Sequence, residues 1–245
     1  MKATQHLTKV VLVEPAGNLN VGSVARLCEN FGIMDLRLVS PKCDLKAPET
    51  RNMAVKGKNI LENAKVYPSL LSAISDCTRV IATCGRKEHG SIPLHQSEET
   101  FKWFHSIYSE KPAALVFGRE DRGLTNQELL FAHKIISLDT SKEYPSMNLS
   151  HAVAIVLNEW NRYRYLEINL KSRGINNSPA PVKQLEDCLD DLSEVLLEIG
   201  FLMEHTQEAR MSKFKSLLQR AEVKSEEVAL IRGVVRQMKW SLENH

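Results

Sequence analysis

The amino-acid sequence predicts an α/β protein, a mostly parallel sheet with helices on both faces, followed by a small helical extension. Three observations carry this. Short apolar runs rich in Val, Ile and Leu recur between residues 9 and 165; they are too continuous for half-exposed strands and read as strands buried on both faces. Helix-length segments separate them, the alternation that feeds parallel strands. Beyond residue 181 the apolar spacing becomes helical. A chain of 245 residues, 43% hydrophobic and 25% charged, suits one large domain or two unequal ones.

In order, the expected elements are a strand at 10–13, a helix at 21–31 and a strand at 36–39. Helices at 53–64 and 69–76 precede a strand at 80–83. A helix at 98–108, a strand at 113–117, a helix at 126–132 and a strand at 135–138 follow, and a long helix over 148–165 closes the domain spanning 1–165. Residues 166–182 are polar, with Gly174, Pro179 and Pro181, and read as a linker. The extension, 183–245, is therefore expected to move relative to the first domain. Its apolar stripes predict three helices: Leu185, Leu189, Leu192, Val195 and Leu196; then Phe214, Leu217 and Leu218; then Val228, Leu230, Ile231, Val234 and Val235.

Several function classes are excluded. No G-x-G-x-x-G, G-x-x-x-x-G-K-[ST], H-E-x-x-H or G-x-S-x-G occurs, which removes the usual dinucleotide, P-loop, zinc-protease and α/β-hydrolase readings. His89 and His95 lie near Cys84 at a spacing that fits no metal-ligand pattern, so no metal is expected. Five cysteines without a C-x-x-C pair read as free thiols in a reducing compartment. The polar N-terminus lacks a signal-peptide core, and no apolar stretch is long enough to span a membrane, so the expected location is cytoplasmic. Net charge is only +2, but its distribution is uneven. From residue 183 to 208 acids outnumber bases eight to one, whereas 209–240 holds eight Lys and Arg against three Glu. A basic helical surface beside an α/β domain suggests a polyanion partner.

Three segments stand out. After the first strand, Gly17 and Asn18 suit a turn, Asn20 suits a helix cap, and Arg26 follows on that helix near the carboxyl edge of the sheet, where α/β proteins bind ligands. After the 113–117 strand come Gly118, Arg119, Glu120 and Gly123, glycines that allow close backbone approach to a ligand beside an ion pair that a turn does not need. Ser146 and Asn148 enter the last long helix, whose N-terminal N–H groups suit a carboxylate or phosphate.

In this order and spacing the three segments resemble the motifs of the SpoU-type RNA 2′-O-methyltransferases of the SPOUT superfamily. They are the N-x-N-x-G-x-x-A-R stretch from Asn18 to Arg26, F-G-R-E-D-R-G-L from Phe117, and S-M-N-L-S-H-A from Ser146. The tail, K-F-K-S-L-L-Q-R-A-E from Lys213 with I-R-G-V-V from Ile231, is similar to the extension of the TrmJ group of tRNA (cytidine/uridine-32) 2′-O-methyltransferases. The resemblance implies a C-terminal trefoil knot, a homodimer, a tRNA substrate and S-adenosylmethionine (SAM) as methyl donor. By matched position SAM would touch Thr83, Cys84, Gly85, Gly118, Leu138, Ser146, Met147 and Asn148. Cys84 stands where the family often has Ser or Ala, so backbone contact is expected there. Arg26 would serve the ribose hydroxyl, surrounded by Asn20, Glu120, Ser146 and Asn148. Two roles compete for it: a base made unusual by its site, or a cation that stabilises the alkoxide, since Arg normally stays protonated. Methylation of another tRNA or rRNA site, and a catalytically silent RNA-binding relative, are the alternatives.

Overall fold

The structure is a computed structural model that describes residues 7–85, 93–105, 111–141, 143–168 and 179–244. In chain order it contains β1 (Thr8–Val13), α1 (Asn18–Phe31), β2 (Asp35–Val39), α2 (Pro48–Ala54), a 3₁₀ turn (Val55–Gly57), α3 (Lys58–Glu62), β3 (Lys65–Tyr67), α4 (Leu70–Ile74) and β4 (Arg79–Thr83). There follow β5 (Leu94–His95), α5 (Ser97–His105), β6 (Ala113–Phe117), α6 (Asn126–Leu129), β7 (Lys134–Ile136) and α7 (Leu149–Ile168). The extension is α8 (Val182–Glu198), α9 (Glu204–Arg220) and α10 (Ser225–Glu243).

The seven strands form one sheet in the order β3-β2-β1-β6-β4-β7-β5, and every ladder in it is parallel. Alternate residues of β1 explain the apolar runs. Val10 and Leu12 point to one face, into a core shared with Val24 of α1, Phe101 of α5 and Val156 and Trp160 of α7. Val11 and Val13 point to the other, against Ile74 of α4 and Leu129 of α6. Burying each such aliphatic side chain contributes roughly 1.5–3 kcal/mol, which a strand buried on one face only cannot match.

From β1 the chain fills the sheet outward through β2 and β3, and β6 then returns to pair with β1 on its other side. The carboxyl ends of β1 and β6 therefore flank a topological switch point, the crevice where open α/β sheets bind ligands.

The expected elements differ from the observed ones in places. The helix at 53–64 is divided by the 3₁₀ turn. A Cβ on Gly57 would lie 2.4 Å from Ala25 O, so the chain there packs backbone to backbone on α1. The short strands β3 and β5 were not foreseen; β3 is an edge strand with Lys65 and Val66 exposed, so it carries no buried run to recognise. The helix at 126–132 ends at Leu129, and of the helix at 98–108 the structure describes residues up to 105. Most of the expected linker lies outside the described residues. Where the chain returns, Val182 is buried in the α/β core and its N–H donates to Cys77 O at 3.0 Å.

The extension has its own small core of Leu185, Cys188, Leu189, Val223 and Val228. Leu217, Leu230 and Val234, expected inside, are exposed. The extension also makes contacts with the α/β domain. Trp103 Nε1 donates to Glu222 Oε2 at 2.5 Å, Gln219 Nε2 donates to Phe131 O at 2.9 Å, and the Lys215 ammonium sits 3.6 Å from the Phe131 ring centroid.

Candidate active site

At the end of β6 the chain makes a tight reversal in which Arg119 and Gly123 exchange backbone hydrogen bonds of 3.0 and 3.3 Å. A Cβ on Gly118 would stand 2.3 Å from the carbonyl carbon of Gly123 and 2.4 Å from Leu124 N. The backbone at Gly118 thus lies tightly against the chain's own reversal, which accounts for a glycine at this position. Arg119 locks the reversal from beneath. Its side chain is 8% exposed, pairs with Glu14 at 2.6 Å and with Glu128 at 2.8 Å, and those carboxylates raise its pKa further above the ordinary arginine value.

The adjacent Glu120 faces the other way, toward the turn after β1. Its carboxylate accepts from Ala16 N at 3.1 Å, Gly17 N at 3.0 Å and Asn20 Nδ2 at 3.1 Å. Burial alone would raise its pKa, but these donors prevail and hold it below the ordinary carboxylate value, so Glu120 is an anion at neutral pH. Asn20 does not cap a helix as expected: α1 begins two residues earlier, with Gly17 at the cap position. Its amide is free for tertiary bonds instead, and its Oδ1 accepts from Asn148 Nδ2 at 3.0 Å. Asn148 Oδ1 accepts in turn from Ser150 N at 2.9 Å, Ser150 Oγ at 2.7 Å and His151 N at 3.4 Å. These first N–H groups of α7, expected to face a ligand, are taken by Asn148 itself. A continuous hydrogen-bonded chain, Glu120–Asn20–Asn148, joins all three sequence segments.

Arg26 is not brought to this hydrogen-bonded chain. It is exposed on α1 with no hydrogen bond or ion pair among the described residues. Six positions beyond Asn20, it sits roughly 9 Å along the helix and about 120° around it. Gly22 and Ala25, between them, serve packing: a Cβ on Gly22 would lie 2.4 Å from Thr50 O, and Ala25 is fully buried.

Beside Asn148 three further segments converge at the carboxyl ends of β4 and β7. Thr83 Oγ1 donates to Val116 O at 3.3 Å, and the buried Cys84 donates its N–H to Ile136 O at 2.9 Å. Gly85 is exposed, and among the described residues a Cβ there would meet only Pro145 O, at 3.7 Å. Leu138 and Met147 are half-buried and Ser146 is exposed. The open backbone at Gly85, facing the 145–148 loop, is a cradle that suits a ligand lying against main chain. Among the described residues no group of three or more His, Cys, Asp or Glu is placed to hold a metal.

On the other side of Asn20 lies an open cleft of about 800 Å³, lined among others by Asn18, Lys42, Cys43, Asp44, Glu49 and Asn148. Sequence reasoning did not single out the 42–49 wall. The available sign was its place after β2, at the same carboxyl edge as the other segments. The basic surface of the extension is smaller than its composition suggests. Acids of α8 take up three of the eight cations: Lys215 pairs with Glu186 at 2.9 Å, Arg232 with Asp191 at 2.8 Å and Lys239 with Glu194 at 3.5 Å. Arg210, Lys213, Arg220, Lys224 and Arg236 have no ion pair among the described residues.

No helix among the described residues is long and apolar enough to cross a membrane. Residues 8–158 match the SpoU rRNA methylase family, and residues 183–245 match the C-terminal domain of tRNA methyltransferase TrmJ. A tRNA (cytidine-2′-O-)-methyltransferase TrmJ of Methanocaldococcus jannaschii is 34% identical over 229 residues, covering 90% of this chain and 95% of that protein. The tRNA (cytidine/uridine-2′-O-)-methyltransferase TrmJ of Escherichia coli K12 is 31% identical over 232 residues, 93% of each. The crystal structure of TrmJ from Z. mobilis superposes with a TM-score of 0.82 at 29% identity, over 95% of this chain and 99% of that one. The chain belongs to the SpoU methylase family, within its TrmJ group of tRNA 2′-O-methyltransferases.

Proposed function

We propose that this protein transfers the methyl group of SAM to the ribose 2′-OH of C or U at position 32 of a tRNA anticodon loop, as a cytoplasmic homodimer. The observation that carries the reading is the Glu120–Asn20–Asn148 chain, because it binds three segments distant in sequence into one polar site. Residues 1–165 hold the chemistry, and 183–245 add RNA affinity through their unpaired cations. The path from β7 to α7 beside Gly85 is the segment that a C-terminal trefoil knot would thread.

SAM supplies an electrophilic methyl carbon on a sulfonium, so no metal is required. Thr83, Cys84, Gly85, Gly118, Leu138, Ser146, Met147 and Asn148 would hold it, chiefly through main chain. The open backbone at Gly85 fits this role, and Gly118 also shapes the reversal that carries Glu120. Glu120 fixes Asn20, and Asn20 and Asn148 orient the ribose. Arg26 acts as a cation that stabilises the developing alkoxide and pins the neighbouring phosphate, while the hydroxyl proton passes to solvent water as the methyl is taken up. Since it is remote from Asn20 within one chain, it reaches the SAM loops of the other protomer.

Mass mapping of 2′-O-methyl nucleotides tests the reading, in tRNA from cells lacking the protein and in the same tRNA after incubation with purified protein, SAM and EDTA. A methyl lost from position 32 and restored in vitro is expected. Restoration at another nucleotide, or none, overturns it.

A further inference from the structure

The cleft of about 800 Å³ runs from Asn20 and Asn148 past Asn18 to Lys42, Cys43, Asp44 and Glu49. The reaction as proposed uses only its first end, yet the volume suits a whole nucleotide. The far wall is fixed in place. Lys42 N donates to Pro15 O at 2.9 Å, and Cys43 packs against the core under α1. Asp44 N donates to Asn18 Oδ1 at 3.0 Å, and Asn18 Nδ2 donates to Glu49 Oε1 at 2.7 Å. Asn18, inside the first motif, therefore braces this wall.

Charge then orients whatever enters. The carboxylates of Asp44 and Glu49 repel a phosphodiester, whereas Lys42 is the one cation among the described lining residues. Its exposed ammonium makes no ion pair among the described residues, although its charge helps to hold the Glu14 carboxyl below the ordinary value. One cation and two carboxylates lining the same cleft admit a nucleotide in one polarity, phosphate toward Lys42. We infer that Lys42 binds the phosphate flanking the target nucleotide, and thereby sets the direction in which the ribose meets Asn20 and Asn148. It is a positioning residue, not a reacting one, and the inference rests on the proposed function.

The test measures steady-state tRNA methylation by the full-length protein across salt concentrations, with Lys42→Ala, Lys42→Arg and a control, Lys65→Ala, on the exposed edge strand β3. Lys42→Ala should raise KM for tRNA roughly tenfold, leave kcat within about twofold and flatten the salt slope of kcat/KM by about 1. SAM affinity should not change, Lys42→Arg should recover most of the KM, and Lys65→Ala should match wild type. An unchanged KM in Lys42→Ala, a fall in kcat alone, or an equal loss in Lys65→Ala overturns the inference while the proposed function stands. If the wild-type protein methylates no tRNA ribose, the proposed function fails and this inference falls with it.

Discussion

At the residue scale, two glycines at strand ends have opposite reasons to be glycine. Gly118→Ala drives a Cβ into the Gly123–Leu124 backbone at 2.3–2.4 Å, and backbone cannot yield as a flexible side chain would. Overpacking of this kind costs about 1–3 kcal/mol or more, so thermal unfolding should begin several degrees lower. Gly85→Ala meets nothing closer than 3.7 Å; it should melt like wild type but bind SAM roughly tenfold more weakly in calorimetry, as the methyl intrudes on the cradle. A Gly85→Ala protein with full SAM affinity would put the cofactor elsewhere. Glu120 makes a pH prediction. Its folded pKa lies below the ordinary 4.5, so its contribution is present above that value and is lost as pH falls through the depressed one. Glu120→Gln should then be less stable than wild type by about 1 kcal/mol at neutral pH, allowing for solvent screening. In urea unfolding the gap should close as pH falls through that depressed value; a gap independent of pH would mean that shape, not charge, matters at Glu120.

At the element scale, the α/β alternation was legible because strands buried on both faces carry unbroken apolar runs, as Val10–Val13 of β1, Val80–Ala82 of β4 and Ala113–Phe117 of β6 are. β3 and β5 were not, since an edge strand of two or three residues leaves no such run. The break at Gly57 was hidden for another reason: it answers to the backbone of α1, a contact no local pattern records. The site was legible as residue types rather than as bonds. Asn20 and Asn148 stood out, but their mutual hydrogen bond crosses 128 positions of sequence, and the cap assigned to Asn20 was a local reading that a tertiary partner overrode. Composition overstated the basic face of the extension because the acidic run in α8 lies against it. Cutting the chain after Val182 keeps that residue's place in the α/β core and removes the five unpaired cations. The shortened protein should bind SAM normally, lose tRNA affinity, and show a salt slope shallower by up to about 4. It should also melt earlier, because Trp103 and Phe131 lose the partners that cover them. An unchanged KM for tRNA would assign RNA binding to the first domain alone.

At the scale of the whole molecule, the role proposed for Arg26 requires it to meet a site from which its own fold separates it. The chain holds the Glu120–Asn20–Asn148 network and the Gly85 cradle, while Arg26 is exposed on α1, with no ion pair among the described residues, about 120° around the helix from Asn20. A second copy supplying Arg26 would complete the site, and would give a chain with its own SAM loops a reason to dimerise. Arg26→Ala should then lose activity on the order of 10²–10⁴-fold, the usual effect of removing one proton-transfer or oxyanion contact. Its SAM affinity should hardly change, since the role proposed for Arg26 serves the RNA hydroxyl. Asn148→Trp, which fills the loop beside the cradle, should be inactive for the opposite reason. Mixed and re-dimerised, the two inactive proteins should regain activity, because one of the two composite sites in each heterodimer pairs an intact Arg26 with an intact loop. With random exchange half of the dimers are mixed, so recovery approaches about a quarter of wild-type activity if the sites act independently. Native mass spectrometry that shows heterodimers without recovered activity would place Arg26 in cis, and α1 would then have to turn or unwind for the guanidinium to reach Asn20.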